Sequence, residues 1–220
     1  MGRFNEYKRF LPIVEPFRNR SSTSKRQDCY WLTIGIGNDN QAEKEFKERY
    51  KNFCRIYGIE ISDKKLANFS DYGTVILGAA GLESREEPMT VLVRDTGHFR
   101  YETGMVQIIP LHELLDTYVR SRFLHFVTMD IEGAEFQLLN GFSRVENGTL
   151  CRENVHFCQL DVEFHGAGKP RFAQLFQHLL RSTTFVPIHA ERFHDKRKTT
   201  FIDGSRITIC EELFNFNQYF

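Results

Sequence analysis

Five ionisable residues stand at the ends of two apolar segments of the chain. Asp130 and Glu132 end FLHFVTMDIE, and Asp161, Glu163 and His165 end NVHFCQLDVEFH. Residues two apart in a β-strand project from the same face, so each group would present its side chains together. Such a wall of carboxylates and imidazole could orient a substrate, remove a proton from a hydroxyl or bind a hard cation. The structural alternatives are helix capping, pairing with nearby arginines and, for His165, a structural hydrogen bond.

A glycine turn and an acidic residue stand in the same relation to two earlier apolar segments. Gly35 and Gly37 lie in TIGIGNDN, where the absence of a Cβ lets the backbone turn tightly and approach a ligand. Glu60 ends the next apolar segment, a position from which a carboxylate can accept hydrogen bonds from both ribose hydroxyls of an adenosine-containing cofactor. A full dinucleotide fingerprint requires glycine where Asn40 stands, so the pattern favours a nucleoside without a pyrophosphate. A structural glycine turn and a solvated carboxylate are the alternatives.

The elements that must position these residues alternate between strands and helices. Apolar segments predict the strands, and apolar residues at helical spacing, such as Ala42, Phe46 and Tyr50, predict the intervening helices. The order indicates an α/β fold with a buried, mostly parallel sheet and helices on both faces. In such a sheet ligands bind outside the carboxyl ends of the strands, where the residues above are placed. Strands are predicted at 29–37, 54–62, 73–81, 123–132, 154–165, 183–193 and 206–214, with an extra strand or edge hairpin at 89–95.

Composition excludes two classes of function. The 220 residues include 29 Lys plus Arg and 29 Asp plus Glu, and this balance argues against a globally basic nucleic-acid binder. No apolar segment approaches the roughly 20 residues of a transmembrane helix. The basic segment 1–28 is predicted to be a flexible arm, and 29–220 a single domain.

The cysteines and sequons bear on the cellular compartment. The spacing of the five cysteines is irregular and lacks a CxxC pair, which predicts buried or free thiols rather than a zinc site or a full disulfide framework. Asn-x-Ser/Thr sequons occur at Asn19, Asn68 and Asn147. The sequence favours a soluble, cytoplasmic protein and leaves a secretory lumen open. The cysteines are Cys29, Cys54, Cys151, Cys158 and Cys210.

The segment 112–142, HELLDTYVRSRFLHFVTMDIEGAEFQLLNGF, resembles the signature of the FkbM-type methyltransferases. In that family a Leu-Asp segment precedes an apolar strand that ends in Asp-x-Glu-Gly-x-Glu and is followed by a Leu-rich helix ending in Gly. The glycine turn, the acidic strand end and ILGAAG at 76–81 extend the resemblance upstream. DVEFHG at 161–166 and ITICEELFNF at 207–216 resemble an animal branch of the family. The resemblance covers about residues 30–218.

The resemblance implies a Rossmann-like methyltransferase fold with a seven-stranded sheet and S-adenosylmethionine as the cofactor. It also implies O-methylation of a hydroxyl or carboxyl acceptor, which would be a small molecule, a glycan or a lipid. We predict His165 as the general base or acceptor-orienting group, with Asp130 and Glu132 shaping the site, and no metal ligand. The implied cofactor contacts come from Gly35, Gly37, Asn38, Glu60, Ile61, Ala79, Ala80 and Asp130.

One residue departs from the family's pattern. The family commonly has an acidic residue two positions before the first glycine, where this chain has Thr33. Asp39 or Asn38 could substitute for the missing acidic residue. The alternative function is therefore a catalytically inactive binding or scaffold module that keeps the fold. A nicotinamide-dependent oxidoreductase is disfavoured by Asn40 and by the lack of a Tyr-x-x-x-Lys set.

Overall fold

The computed structural model describes residues 2–3, 8–13, 29–37, 39–50, 53–63, 66–95, 98–165, 169–193, 196–205, 208–214 and 216. The strands are β1 (Gly2–Arg3), β2 (Arg9–Phe10), β3 (Cys29–Ile34), β4 (Cys54–Glu60), β5 (Thr74–Leu77), β6 (Ala79–Gly81), β7 (Arg85–Asp95), β8 (His98–Pro110), β9 (Phe123–Met129), β10 (His156–Phe164), β11 (Phe185–Phe193) and β12 (Lys196–Asp203). The helices are α1 (Gln41–Tyr50), α2 (Leu111–Leu114), α3 (Glu135–Asn140), α4 (Thr149–Arg152), α5 (Lys169–Ser182) and α6 (Thr208–Phe214). A 3₁₀ turn at Phe69–Asp71 precedes β5, and a π-helical turn at Leu115–Val119 continues α2.

Seven strands form the central sheet, in the order β11-β12-β10-β9-β3-β4-β5. The pairs among β3, β4, β5, β9 and β10 are parallel, whereas β12 runs antiparallel to both of its neighbours. From β3 the chain builds outward to β5 and then returns to β9 on the other side of β3. The predicted α/β fold with a mostly parallel seven-stranded sheet is confirmed, and the strand order reverses between β3 and β9, which is where such sheets bind ligands.

Helices cover both faces of this sheet. On β3, Tyr30 and Leu32 pack into a core shared with α2, α3 and α5, whereas Trp31 packs into a second core with α1 and α6. The ring of Trp31 lies 4.3 Å from that of Phe46, centroid to centroid. Because apolar layers cover the strands from both sides, they read in the sequence as continuous apolar segments. Within the described part of the chain, none of the helices has the length and apolarity that spanning a bilayer requires.

The segment 8–13 is part of the packed domain. The backbone N–H of Leu11 donates to Oε1 of Gln159 (2.6 Å), and Nε2 of Gln159 donates back to the carbonyl of Leu11 (3.1 Å), so the segment lies across β10. The flexible arm predicted for 1–28 is therefore wrong for these residues, because their apolar side chains complete the core beside α1 and α6. Residues 14–28 lie outside those described.

Two predicted strands differ in the structure. The segment 206–214 was expected to be a strand, but its described residues form α6, because Cys210, Leu213 and Phe214 recur at helical spacing and are buried together. The seventh sheet position is filled instead by β12, whose basic first residues, KRK, concealed its strand character. The predicted strand at 73–81 divides at Gly78, where the backbone has a φ of +147° and leaves the central sheet.

A second, three-stranded sheet follows this division. Its strand order is β6-β8-β7, with β7 and β8 forming a long antiparallel hairpin and β6 pairing with β8 in parallel. The extra hairpin predicted near 89–95 is confirmed and spans 85–110. Because the hairpin lies between β6 and α2 in the chain, it is an insertion beside the end of β5.

Four of the five cysteines form disulfides, Cys29–Cys54 and Cys158–Cys210, and Cys151 is free. The predicted buried or free thiols are therefore wrong for these four residues. The sequence concealed the first pair because the pairing depends on strand register: Cys29 and Cys54 are direct partners in the parallel ladder of β3 and β4. The second disulfide joins β10 to α6.

Candidate active site

Backbone hydrogen bonds bring the carboxyl ends of the central strands together at one edge. The N–H of Gly35 donates to the carbonyl of Ile59 (2.9 Å), and the N–H of Asp130 donates to the carbonyl of Ile34 (2.9 Å). These bonds link the ends of β3, β4 and β9 on both sides of the point where strand order reverses. Gly35, Glu60 and Asp130, three of the residues predicted for the site, therefore meet at the carboxyl ends of the strands, where ligands bind in this architecture.

The two glycines in the turn after β3 differ in their surroundings. Gly35 has a φ of +85°, and a Cβ there would lie 1.9 Å from the carbonyl oxygen of Asp130, so no other residue fits. Gly37 has a φ of +69°, but a Cβ there would meet no atom within 4 Å. Gly35 thus permits two strand ends to approach each other, whereas Gly37 borders open space above the edge.

Glu60 closes this turn from the end of β4. Its buried carboxylate accepts hydrogen bonds from the backbone N–H groups of Gly37 (3.0 Å to Oε2), Ile61 (2.9 Å to Oε1) and Ser62 (3.3 Å to Oε1). A carboxylate has about four acceptor positions, so one remains for a hydroxyl. The structure brings Gly37, Glu60 and Ile61 together as predicted, and their contacts with a cofactor stay a prediction.

The remaining predicted cofactor residues are placed differently. Ala79 is buried and Ala80 half-buried in β6, directly after the N–H of Gly78 donates to the carbonyl of Glu60 (2.9 Å). They therefore lie next to the acidic strand end but belong to the inserted sheet. Asn38 lies outside the described residues.

A buried carboxylate lies beside Thr33, but it comes from α1. Glu43 accepts hydrogen bonds at Oε1 from the hydroxyl of Thr33 (2.6 Å) and from Nζ of Lys8 (2.8 Å). Asp39, suggested above as a replacement, instead accepts a hydrogen bond from the N–H of Gln41 at the start of α1 (2.8 Å). Glu43 was missed, although its place three residues before Phe46 on the apolar stripe of α1 was a signal of burial.

Four carboxylates surround His165 on the other half of the edge. Nδ1 of His165 lies 2.8 Å from Oε1 of Glu135, and Nε2 lies 3.4 Å from Glu163, 3.5 Å from Asp130 and 3.6 Å from Glu132. Asp130 and Glu132 are not in a strand, as was expected, but in the turn after β9, where Glu132 has a φ of +53°. The turn, and not strand alternation, aims both side chains at the imidazole.

Sequence reasoning missed three members of this cluster. Glu135 begins α3, its side chain is fully buried, and Oε1 also accepts hydrogen bonds from the N–H groups of Ile131 (3.3 Å) and Gly133 (3.1 Å). It was visible as the last acidic residue of the Asp-x-Glu-Gly-x-Glu block. Lys196 and Lys198 of β12 approach the Glu163 carboxylate at 2.7 Å and 3.5 Å; they had no local signal, because β12 reaches β10 only through the sheet topology.

The cluster changes the protonation of its members. Burial by itself lowers the pKa of His165, but the hydrogen bond to Glu135 and the nearby carboxylates of Glu163 and Asp130 outweigh it and raise that pKa to about 10. The adjacent imidazole of His165, opposed by burial and helped by Lys196, lowers the pKa of Glu163 to about 2. An imidazolium cannot accept a proton at neutral pH, so this state disfavours His165 as the base, and that role stays a prediction. Its role as an orienting group stays a prediction.

Asp161 does not join the ionisable wall predicted from its spacing to Glu163. It is buried beneath the segment 8–13, where it accepts hydrogen bonds from the hydroxyl of Thr200 (2.8 Å) and the N–H of Arg9 (3.2 Å). Burial raises the pKa of Asp161 to about 6. Its contacts are those of a structural group that fixes the N-terminal segment.

Partial burial and the negative charge of Glu163 raise the pKa of Asp130. Its side chain is still about half exposed, at 47%. Asp130 is therefore a carboxylate that a second molecule can reach, beside a cationic donor, His165.

Comparison with known proteins identifies the family of the chain. Solved structures similar in fold include the fibrillarin pre-rRNA processing protein of Methanococcus jannaschii (12% identity, TM-score 0.48, 87% of this chain and 70% of that one). They also include the human methyltransferase 10 domain containing protein (10%, 0.44, 86% and 77%) and Aeropyrum pernix fibrillarin with natively bound S-adenosyl-L-methionine (9%, 0.42, 79% and 66%). No curated protein matches the chain. The family model of the methyltransferase FkbM domain matches residues 8–187. The chain therefore belongs to the FkbM methyltransferase family.

Proposed function

We propose that this protein is an S-adenosylmethionine-dependent methyltransferase that acts on an oxygen atom of its acceptor. The observation that carries this proposal is the arrangement of side chains and backbone groups at the carboxyl ends of the central strands. A glycine turn with a fixed carboxylate, Gly37 and Glu60, occupies one half of it, and an exposed carboxylate beside a cationic imidazole, Asp130 and His165, occupies the other. A nucleoside cofactor and an acceptor would thus meet at the reversal of strand order.

The first half fits the cofactor. The open space bordering Gly37 admits a ligand against the backbone, and the remaining acceptor position of Glu60 suits a ribose hydroxyl. Bound there, S-adenosylmethionine would supply a methyl group already activated by its sulfonium. Glu60 would hold the ribose, and Gly35 would keep the turn close to Asp130.

The second half would prepare the acceptor. His165, as an imidazolium, would donate a hydrogen bond to the acceptor oxygen and hold it in line. Asp130 would take the hydroxyl proton, because its carboxylate is accessible and its raised pKa makes it a better proton acceptor than an ordinary aspartate. Orientation of this kind supplies most of the assistance that an activated methyl group needs.

The acceptor class follows from the charge at this half. Asp130 and Glu132 are the exposed members, with 47% and 74% of their side chains accessible, and both are acidic. They would repel the phosphates of a nucleic acid, so we expect an uncharged hydroxyl on a small molecule, glycan or lipid. The pre-rRNA processing role of the Methanococcus jannaschii fibrillarin would therefore not extend to this chain.

A calorimetric titration with S-adenosylhomocysteine tests the cofactor site. We expect binding, and we expect Glu60→Ala to weaken it by about 1 to 3 kcal/mol through the loss of charge-assisted hydrogen bonds. Glu48→Ala, at an exposed acidic position of α1, is the matched control and should leave affinity unchanged. Folded protein that shows no binding at millimolar ligand would overturn the proposal.

A methyl-transfer assay then separates the enzyme from the inactive scaffold. Incubation with tritiated S-adenosylmethionine and separate pools of glycans, lipids and small hydroxylated metabolites should label one pool, and Asp130→Asn should abolish the label even at saturating cofactor. Cofactor binding without labelling of any pool would favour the scaffold. Labelling of an RNA pool would contradict the acceptor class.

We further propose that the protein resides in an oxidising compartment such as the secretory lumen, rather than in the cytoplasm. Two disulfides persist in such compartments and are rare in the cytosol. Two of the three sequons, Asn68 and Asn147, are exposed in turns and open to glycosylation. Peptide mapping without reductant, after secretion from eukaryotic cells, should recover both cystine peptides and a glycosidase-sensitive mass at these asparagines. Four reduced cysteines and no glycan would overturn this assignment.

A further inference from the structure

The two ring nitrogens of His165 differ in their hydrogen bonding. Nδ1 is hydrogen-bonded to Glu135, whereas the buried Nε2 has no hydrogen-bond partner within the described part of the chain, although the side chain is only 9% exposed. A carboxylate that accepts from Nδ1–H fixes the tautomer whose Nε2 lone pair is free, which is how proteins orient a metal-binding histidine. The second oxygen of Glu135 is also buried and unpartnered.

The distances around Nε2 suit a shared ion better than hydrogen bonds. Oxygens of Glu163, Asp130 and Glu132 lie 3.4 to 3.6 Å from it, beyond the range of about 2.7 to 3.2 Å for a good N–H···O bond. Two ligands at about 2.1 Å from one cation are about 3.0 Å apart at right angles and about 3.4 Å apart at the tetrahedral angle. Ligand atoms from Asp130, Glu135 and His165 all lie within 4.8 Å of one another.

The charges of the cluster also favour a bound divalent cation. Four carboxylates meet the two ammonium groups of Lys196 and Lys198 here, so beside a neutral imidazole the carboxylates outnumber the cations by two. A divalent cation bound at Nε2 would bring the cluster to neutrality. Buried charge is least costly when it is balanced.

We propose that this cluster is a divalent-cation site, with Nε2 of His165 and the carboxylate of Asp130 as ligands. Glu132 and Glu163 lie within reach to complete the shell, and Glu135 is the positioning residue that fixes the imidazole. Carboxylate oxygens suit Mn²⁺, Mg²⁺ and Ca²⁺, whereas an imidazole nitrogen suits first-row transition ions, so Mn²⁺ is the probe that matches both kinds of ligand.

The binding of the cation is independent of the proposed function, but its role rests on that function. With the ion bound, Asp130 becomes a ligand, and the cation lowers the pKa of an acceptor hydroxyl that coordinates to it. A metal-bound acceptor would then need no strong base, and its hydroxyl proton would pass to a solvent water.

The test is a Mn²⁺ titration of chelator-treated protein, followed by the electron paramagnetic resonance signal of free Mn²⁺. We expect one ion bound per chain and an affinity lowered at least about tenfold by His165→Asn and by Glu135→Gln. His178→Asn is the matched control, because His178 lies 3.5 Å from a single carboxylate, Glu146, and should leave binding unchanged. Circular dichroism verifies that each variant is folded.

Folded wild-type protein that binds no Mn²⁺ would overturn the site, as would binding that His165→Asn leaves unchanged. If His165→Asn does not fold, Asp130→Asn decides, since the exposed Asp130 is not needed for packing. If the protein binds S-adenosylhomocysteine but does not bind Mn²⁺, the cation site alone is refuted. If it binds Mn²⁺ but does not bind S-adenosylhomocysteine, the proposed function alone is refuted.

Discussion

The candidate site at the carboxyl ends of the central strands has two halves, which are held in place by different kinds of group. Around β3 and β4, backbone N–H groups and glycines fix the geometry, and one carboxylate, Glu60, is held by three of those N–H groups. Around β9 and β10, side-chain charges fix it, with His165 at the centre of four carboxylates. A site formed by backbone groups responds little to pH or ions, whereas a site formed by charged side chains responds to both. The half around β3 and β4 therefore suits the cofactor, and the half around β9 and β10 suits an acceptor that must lose a proton.

The most damaging change to the backbone half should be Gly35→Ala. The added Cβ would lie 1.9 Å from the carbonyl of Asp130, and the φ of +85° is strained for alanine, so we expect a loss of about 4 kcal/mol or more in the free energy of unfolding. Urea denaturation measures it. Gly104→Ala, where a Cβ meets nothing within 4 Å, should cost less than about 1 kcal/mol. Equal effects would mean that close backbone approach does not define this half.

A charged pair does lie beneath the backbone half, and breaking it is the second prediction. Glu43→Gln leaves Lys8 buried without its carboxylate, so we expect the free energy of unfolding to fall by about 3 kcal/mol. Replacing both residues, Lys8→Met with Glu43→Gln, should recover part of that loss in a double-mutant cycle. An additive double mutant would show that the pair contributes nothing beyond its separate side chains.

Acid should act through a histidine far from the charged half. Burial lowers the pKa of His125 to about 4, and its Nδ1 accepts a hydrogen bond from the N–H of Tyr30 (3.1 Å). The unfolded chain binds the proton near pH 6.5, so the stability that the neutral imidazole provides is present above that pH and is lost as pH falls toward 4, by about 3 kcal/mol at most. His125→Asn retains an acceptor at the same place and should flatten the pH profile. A stability difference between wild type and His125→Asn that stays constant from pH 7 to 4 would contradict this.

The smallest effect belongs to the rim of the charged half. Lys196→Met removes the ion pair with Glu163 (2.7 Å), and because the lysine side chain is 32% exposed we expect a loss of about 1 kcal/mol or less. A cycle with Glu163→Gln isolates the pair. The loss should shrink in high salt, and a loss that persists there would indicate packing rather than charge.

The same division explains what could be predicted from the sequence. The glycine turn and Glu60 belong to a continuous strand-turn-helix-strand unit, so their spacing alone placed them correctly. Asp130 and His165 were visible because they follow apolar strands. Glu43, Glu135 and Lys196 were missed, because their roles depend on which helix face or which distant strand packs against them.

Packing between distant parts of the chain also overturned two predictions. Spacing placed Asp161 in the ionisable wall, but coverage by the N-terminal segment makes it a structural acceptor. The cysteines showed no recognisable pattern, because Cys29 and Cys54 become partners through strand register rather than through a motif. Local chemistry can be read from neighbours in the chain, but pairing across a sheet cannot.

The position of β12 has a consequence for biosynthesis. The strand is inserted between β10 and β11, both of which precede it in the chain. A nascent chain that has emerged only as far as β11 would have an empty slot in the sheet and a Glu163 carboxylate without its two lysines. Strand β12 therefore both fills the slot between β10 and β11 and brings two lysines to Glu163, so the half of the site around His165 is assembled only after β12 has been translated.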